Sequence, residues 1–132
     1  MKTSVYQKQA NDAKEKLDSV SPSFCLAKWN QVSLHLPTGM TNSCYHPPLH
    51  KIDAEEIKKN PAALHNTPQK LAERQQMLEG KRPKGCSYCW KIEDTGGTSD
   101  RIYRSGEPWA SQDFESIVGK PIESEWTPRY VE

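Results

Sequence analysis

The stretch Lys84-Gly85-Cys86-Ser87-Tyr88-Cys89-Trp90-Lys91-Ile92-Glu93-Asp94-Thr95-Gly96-Gly97, residues 84–97, sets two cysteines two residues apart in a chain with only two others, Cys25 and Cys44. A Cys-x-x-Cys pair suits a metal or cluster site, a redox dithiol, or two small buried thiols. Which of these applies decides what holds the fold together.

The need for such a support is visible in the composition. Leu, Ile, Val and Phe together supply 21 of 132 residues, below the roughly 20 % expected of a self-sufficient apolar core. The 18 basic and 17 acidic side chains nearly cancel, and four Trp and five Tyr add apolar area, which argues for a folded chain over a disordered one. The expectation is one small α+β domain, core-poor and stabilised by a metal or cluster, with one β-hairpin and several short helices.

A net charge of +1 gives no general attraction to nucleic acid or to an anionic membrane. No window approaches the ~18 apolar residues of a transmembrane helix, and the N-terminus has no apolar signal-like core, so a cytoplasmic location is expected. In a reducing compartment four cysteines point to metal, cluster or redox roles before disulfides.

Around the pair, the 3.6-residue recurrence of Tyr6, Ala10, Ala13, Leu17 and Val20 predicts a helix over 3–18, ended by Ser21-Pro22. Val32, Leu34 and Leu36 then alternate with Gln31, Ser33 and His35, the pattern of a strand with one wet face. Pro37-Thr38-Gly39 supplies a turn, so 31–36 and 40–44 form a hairpin that brings Cys25 and Cys44 to one end. A short helix is expected over 53–59, before Asn60-Pro61. Thr67 and Pro68 start a better one, with Leu71, Met77 and Leu78 inward and Gly80 as its stop. Ser99 caps a helix to about Arg104. From Ser105 the pattern is loop-like, with a helical turn near 111–117, and Arg129–Glu132 reads as the start of a strand.

These placements weigh the three uses of the pair. A redox dithiol normally follows a strand, whereas Cys86 follows a helix and a basic turn. Polar Ser87 and Tyr88 next to a charged turn make poor core sequence. Ligation remains, with Cys86 and Cys89 as one half of a four-thiolate site and Cys25 and Cys44 as the other; zinc and an iron–sulfur cluster both fit that donor set. His46 is the nearest histidine that could replace a thiolate, while His35, His50 and His65 have no ligand spacing. Lys81, Arg82 and Lys84 form the one basic run, a solvated loop or a counter-charge to the site, and Trp90 is placed to shield a sulfur.

The order Cys25, Gly39, Cys44, then Cys86-x-x-Cys89 after a helix resembles the SPASM/twitch auxiliary-cluster domains of radical SAM proteins. The resemblance extends through "FCLAKWNQVSLHLPTGMTNSCY", "LHNTPQKLAERQQMLEG", "CSYCWKIED" and "GGTSDRIYR", roughly residues 24–104, and is greatest to twitch domain-containing radical SAM proteins. It implies a [4Fe–4S] cluster held by Cys25, Cys44, Cys86 and Cys89, with a structural or electron-relay role and no catalysis of its own. Relatives often carry a second cysteine where Tyr45 stands. The CxxxCxxC loop that cleaves S-adenosyl-L-methionine is absent from the chain.

The resulting division is an N-terminal helical extension at 1–22, the cluster domain at 23–105, and a linker with the first core strand at 106–132. The chain is then expected to be the N-terminal part of a longer enzyme, whose radical SAM core follows and whose substrate is a peptide or small molecule. The alternative is a zinc-stabilised interaction module without catalysis.

Overall fold

The computed structural model describes residues 5–44, 46–121 and 125–132. Tyr45 and the first two residues of the expected N-terminal helix lie outside them. Helix α1, Val5–Val20, buries Ala10, Ala13 and Leu17, one face at the expected spacing. Tyr6, expected on that face, is exposed. A Cβ on Gly106 would stand 3.2 Å from the Ala13 Cβ, so glycine there lets a later helix lie close against α1.

The chain turns through Ser21–Leu26 into the short helix α2, Ala27–Asn30, and then strand β1, Gln31–His35. Cys25 was expected to open that strand; α2 stands between them. A turn with Gly39 at φ +66 leads to β2, Met40–Asn42, paired antiparallel to β1 with Ser33 opposite Asn42. The hairpin thus forms where alternation placed it. Strand β3, His50–Lys51, pairs antiparallel with β2, and β4, Tyr130–Val131, pairs parallel with β1, giving the order β3-β2-β1-β4. The strand expected at Arg129–Glu132 is therefore an edge of this same sheet.

One strand expectation fails. Gln31 and Ser33, placed on a wet face, are buried, and Leu36 is exposed beyond the end of β1. The return segment after Cys44 causes this: Asn42 Nδ2 donates to the Pro47 carbonyl at 3.0 Å, which ties 46–49 back toward the face carrying Ser33.

Helix α3, Ala54–Lys59, is capped by Asp53, whose side chain accepts from the Glu55 N–H at 2.9 Å. A 3₁₀ turn at Pro61–Leu64 follows, as Asn60-Pro61 implied. Helix α4, Pro68–Leu78, starts at the Thr67 cap and ends at Gly80, φ +77.

Met77 is buried and Leu78 packs against the core as expected, but Lys70 and Arg74 share the docking face in place of Leu71. Lys70, Arg74 and Met77 are buried, while Leu71 and Leu78 are only partly so. Lys70 Nζ donates to Thr41 Oγ1 at 2.8 Å and to the His65 carbonyl at 3.1 Å. Arg74 donates to the Lys28 carbonyl at 3.1 Å and to Asn66 Oδ1 at 2.9 Å, with its guanidinium over the Trp29 ring. Each head group finds acceptors while its aliphatic stem fills apolar space.

Burial, with Arg74 and Lys28 near, pushes Lys70 down to about 7 from its ordinary 10.5. Its folded pKa lies below its unfolded one, so it contributes a stability that rises with pH between about 7 and 10.5. Urea titrations at pH 7 and pH 9 are expected to show wild type gaining on Lys70→Met at the higher pH.

After a 3₁₀ turn at Lys84–Cys86 comes α5, Ser87–Asp94, then α6, Asp100–Gly106. Beyond Ser105 the helical turn expected near 111–117 is α8, Phe114–Gly119, and part of the expected loop is a further helix, α7, Pro108–Ser111. Both pack inward through Ala110 and Ile117. Asn30 secures them: its Nδ2 donates to the Ala110 carbonyl at 3.2 Å and to Asp113 Oδ2 at 3.0 Å, and its Oδ1 accepts from Trp126 Nε1 at 2.8 Å. The core is accordingly aromatic and polar-bonded: Phe24 and Trp29 pack at 4.9 Å between centroids, with Leu17, Leu26, Met77, Trp90, Ile102 and Ile117 around them. Truncating a buried aromatic of this kind typically costs about 3–5 kcal/mol. Among the described residues no helix is long and apolar enough to cross a membrane.

Candidate metal centre

The four cysteines arrive from separate elements. Cys25 ends the Ser21–Leu26 turn before α2, Cys44 lies two residues past β2, Cys86 stands at the N-cap of α5, and Cys89 is in that helix's first turn. All four line a single cavity. The hairpin and the Cys-x-x-Cys turn, separated by more than 40 residues in sequence, both reach this cavity.

The rest of the lining suits thiolates. It holds Ala27, Met77, Pro47 and Trp90, two cations, Lys28 and Arg101, and, among the described residues, no carboxylate. The space itself is narrow, about 20 Å³. What the fold supplies in advance is the donor set and its charge environment.

Each sulfur also meets a hydrogen-bond donor. Ser105 Oγ donates to Cys25 Sγ at 3.9 Å, the His46 backbone N–H to Cys44, the Lys28 ammonium to Cys86, and the Arg101 backbone N–H to Cys89. Donors of this kind stabilise ligating sulfur and tune a bound metal.

Without a metal, Cys44, Cys86 and Cys89 resist ionising. Burial, with the Cys25 sulfur near, pushes Cys44 up to about 12, and the same two causes push Cys89 up to about 11. Burial raises Cys86 too, against the pull of Lys28. A redox dithiol needs the opposite, a first thiol made acidic at a helix N-terminus, so the position of Cys86 at the start of α5 does not act in that way. All four cysteines are free.

The cations behave as counter-charges. Burial alone would lower Lys28, yet Cys86, Glu73, Cys44 and Cys25 outweigh it and raise the group; its Nζ stands 3.4 Å from Glu73 Oε1. Arg101 is likewise raised against its burial, chiefly by Glu93, with which it makes a two-pronged pair at 2.9 and 2.8 Å. Each cation thus already has a carboxylate partner, and thiolates at the cavity would add to the negative charge that Lys28 and Arg101 face.

The basic run at 81–84, read from sequence as a solvated loop or a counter-charge to the site, is the former. Lys81, Arg82 and Lys84 are exposed, and Arg82 pairs with Asp94 at 2.8 Å. Lys28 had a faint signal, one helical turn after Cys25 on α2; Arg101 had none, because only the fold carries α6 to the cavity. Trp90 does line the cavity, fixed by its Nε1 donating to the Pro83 carbonyl at 3.0 Å.

His46 lines it as well, with its ring stacked on Tyr88 at 3.9 Å and Nε2 2.6 Å from Asp100 Oδ2. His35, His50 and His65 stand outside that lining. Among the described residues no three His, Cys, Asp or Glu side chains are grouped so as to hold one metal ion.

No protein-family model, curated protein or solved structure matches this chain.

Proposed function

We propose that the chain is an auxiliary [4Fe–4S] cluster-binding module of a radical SAM protein, not catalytic by itself, with Cys25, Cys44, Cys86 and Cys89 as the ligands. The observation that carries this reading is the meeting of all four cysteines, beside Lys28 and Arg101, on one cavity whose lining holds no carboxylate among the described residues. The resemblance of residues 24–104 to twitch domains supports it and supplies the choice of cluster. A single zinc ion draws its four donors onto one point at about 2.3 Å, whereas a four-iron cluster takes them at separate corners. Both arrangements use the same four donors, so the choice of cluster rests on the resemblance.

When bound, the cluster would supply one-electron redox capacity and a rigid cross-link. The chain's own residues do the remainder: Ser105 and the His46, Lys28 and Arg101 donors orient the sulfurs, the two cations offset their charge, and Trp90 and Met77 exclude water. With four cysteine ligands no iron is left open, which favours structural and electron-relay roles over direct substrate binding. The partner is a radical SAM core acting on a peptide or small molecule, and the setting is the cytoplasm, where thiols stay reduced.

Anaerobic reconstitution with iron and sulfide tests the reading. Broad absorbance near ~400 nm, with about four iron and four sulfide per chain, is expected. Stoichiometric zinc with no such absorbance would instead make the chain a zinc-stabilised interaction module.

A further inference from the structure

Two histidines meet the N-terminal end of α4, away from the thiol cavity. His50 on β3 is directly opposite Thr41 on β2, so both side chains lie on the face of the sheet that α4 covers, where Thr41 accepts from Lys70 Nζ. The His50 ring reaches across to Thr67, with Nε2 2.6 Å from the hydroxyl oxygen. That hydroxyl is the N-cap of α4 and accepts from the Lys70 backbone N–H at 3.3 Å. His65 stands two residues before the cap, and its carbonyl accepts from Lys70 Nζ at 3.1 Å.

The hydrogen bonds favour uncharged rings. Thr67 is buried, and with its oxygen accepting from Lys70 its own hydrogen is free to donate to a neutral Nε2 of His50. A proton on that nitrogen makes it a donor as well, and the Thr67 hydrogen then loses its acceptor. His65 Nε2 is buried and, among the described residues, has no hydrogen-bond partner. A charge placed there is desolvated without compensation.

Electrostatics acts in the same direction. The eleven-residue α4 turns the positive end of its dipole toward both rings. His50 faces Lys70 and Glu73 of α4 and Lys28 of α2; His65 faces Lys70 and Arg74 of α4 and the Trp126 carbonyl. Glu73, the carboxylate among these groups, is already paired with Lys28. Burial first and Lys70 next hold both rings below the ordinary 6.5, against the pull of Glu73 on one and of the Trp126 carbonyl on the other. A base lowered in this way contributes stability that is present above its unfolded value and is lost as pH falls through its folded one.

We infer that His50 and His65 form an acid-sensitive latch on α4, closed while both rings are neutral and released when they take up protons. Neither ring lines the thiol cavity, so the latch works whatever the cysteines hold.

Two measurements on the cofactor-free full chain test this. Ring-proton NMR of the assigned wild-type chain is expected to show His50 and His65 both titrating below 6.5. Amide hydrogen exchange, divided by the intrinsic rate, is expected to show opening of α4 rising at least about fivefold from pH 7 to pH 5.5, with α1 changing by less than about twofold. In the double variant His50→Gln, His65→Gln, whose amides bind no proton in this range, the α4 response is expected to shrink to about twofold or less. Titration of either ring at or above 6.5, an equal rise in α1, or an undiminished response in the double variant each overturns the inference. The wild-type titration and exchange decide it by themselves if the double variant does not fold.

Discussion

Alanine at Cys86 is expected to abolish retention of the cluster and, with it, much of the stability of the loaded chain. Loss of a partner that only orients a ligand typically costs 10–100-fold in metal affinity, and loss of the ligand itself is expected to exceed that. Because the cavity collects Cys25, Cys44, Cys86 and Cys89 from three parts of a core-poor chain, binding and folding are coupled. The same substitution without cofactor exchanges one small buried side chain for another and is expected to change stability by about 1 kcal/mol or less. The diagnostic quantity is therefore the difference between reconstituted and cofactor-free thermal melts. It is large if Cys86 is a ligand and vanishes if Cys86 is only a core residue. A redox dithiol would instead keep its activity when Cys25 and Cys44 are replaced.

Arg101→Met is expected to have the next largest effect, about 3–5 kcal/mol by urea denaturation, the usual result of removing one partner of a buried ion pair. Its side chain is 2 % exposed and joins three elements: Glu93 on α5, Asp18 on α1 at 3.4 Å, and the Phe24 carbonyl at 2.6 Å, just before Cys25. Burial would raise the Glu93 carboxyl, but its bonds from Arg101 and Ser99 hold it below the ordinary range. A lowered folded pKa contributes stability above the unfolded carboxylate range that is lost as pH falls through the folded value. In Arg101→Met the Ser99 bond to Glu93 remains but the Arg101 fork and its charge are lost, so the Glu93 carboxyl moves up from its wild-type position and acid costs the variant less than wild type. The gap between wild type and Arg101→Met is expected to narrow from pH 7 toward pH 4, and Arg101→Lys, which keeps the charge without the fork, to recover part of it.

Local chemistry accounts for what was readable in advance. The hairpin followed from alternation and Gly39, and α4 from Thr67, Pro68 and Gly80, because each signal acts within a few residues; α6 begins after Ser99 as expected, but the Ser99 hydroxyl bonds Glu93 and makes no cap bond to the helix. The four cysteines could be grouped because ligands come as a set and none was left over.

The failures share one cause, which is tertiary position. On α4 Leu71 was expected inward, but the sheet opposite presents Thr41 and backbone acceptors, so Lys70 and Arg74 occupy that face. Gln31 and Ser33 looked solvated because nothing in β1 announces that residues 46–49 return toward them. The segment after Ser105 has few aliphatic residues and several prolines, yet Pro108 sits in the first turn of α7, where a missing N–H costs nothing. The basic run at 81–84 was conspicuous and is solvent-facing, while the cations that matter to the thiols, Lys28 and Arg101, are single residues on different helices.

Native mass spectrometry of the anaerobically reconstituted chain tests the central claim most directly, since it weighs the cofactor and counts its atoms in one species. The mass of one [4Fe–4S] unit on the wild-type chain, absent from Cys25→Ala, Cys44→Ala, Cys86→Ala and Cys89→Ala alike, is the result expected. A chain that carries a single zinc ion and no sulfide, or a four-iron increment that persists in any of those variants, contradicts it.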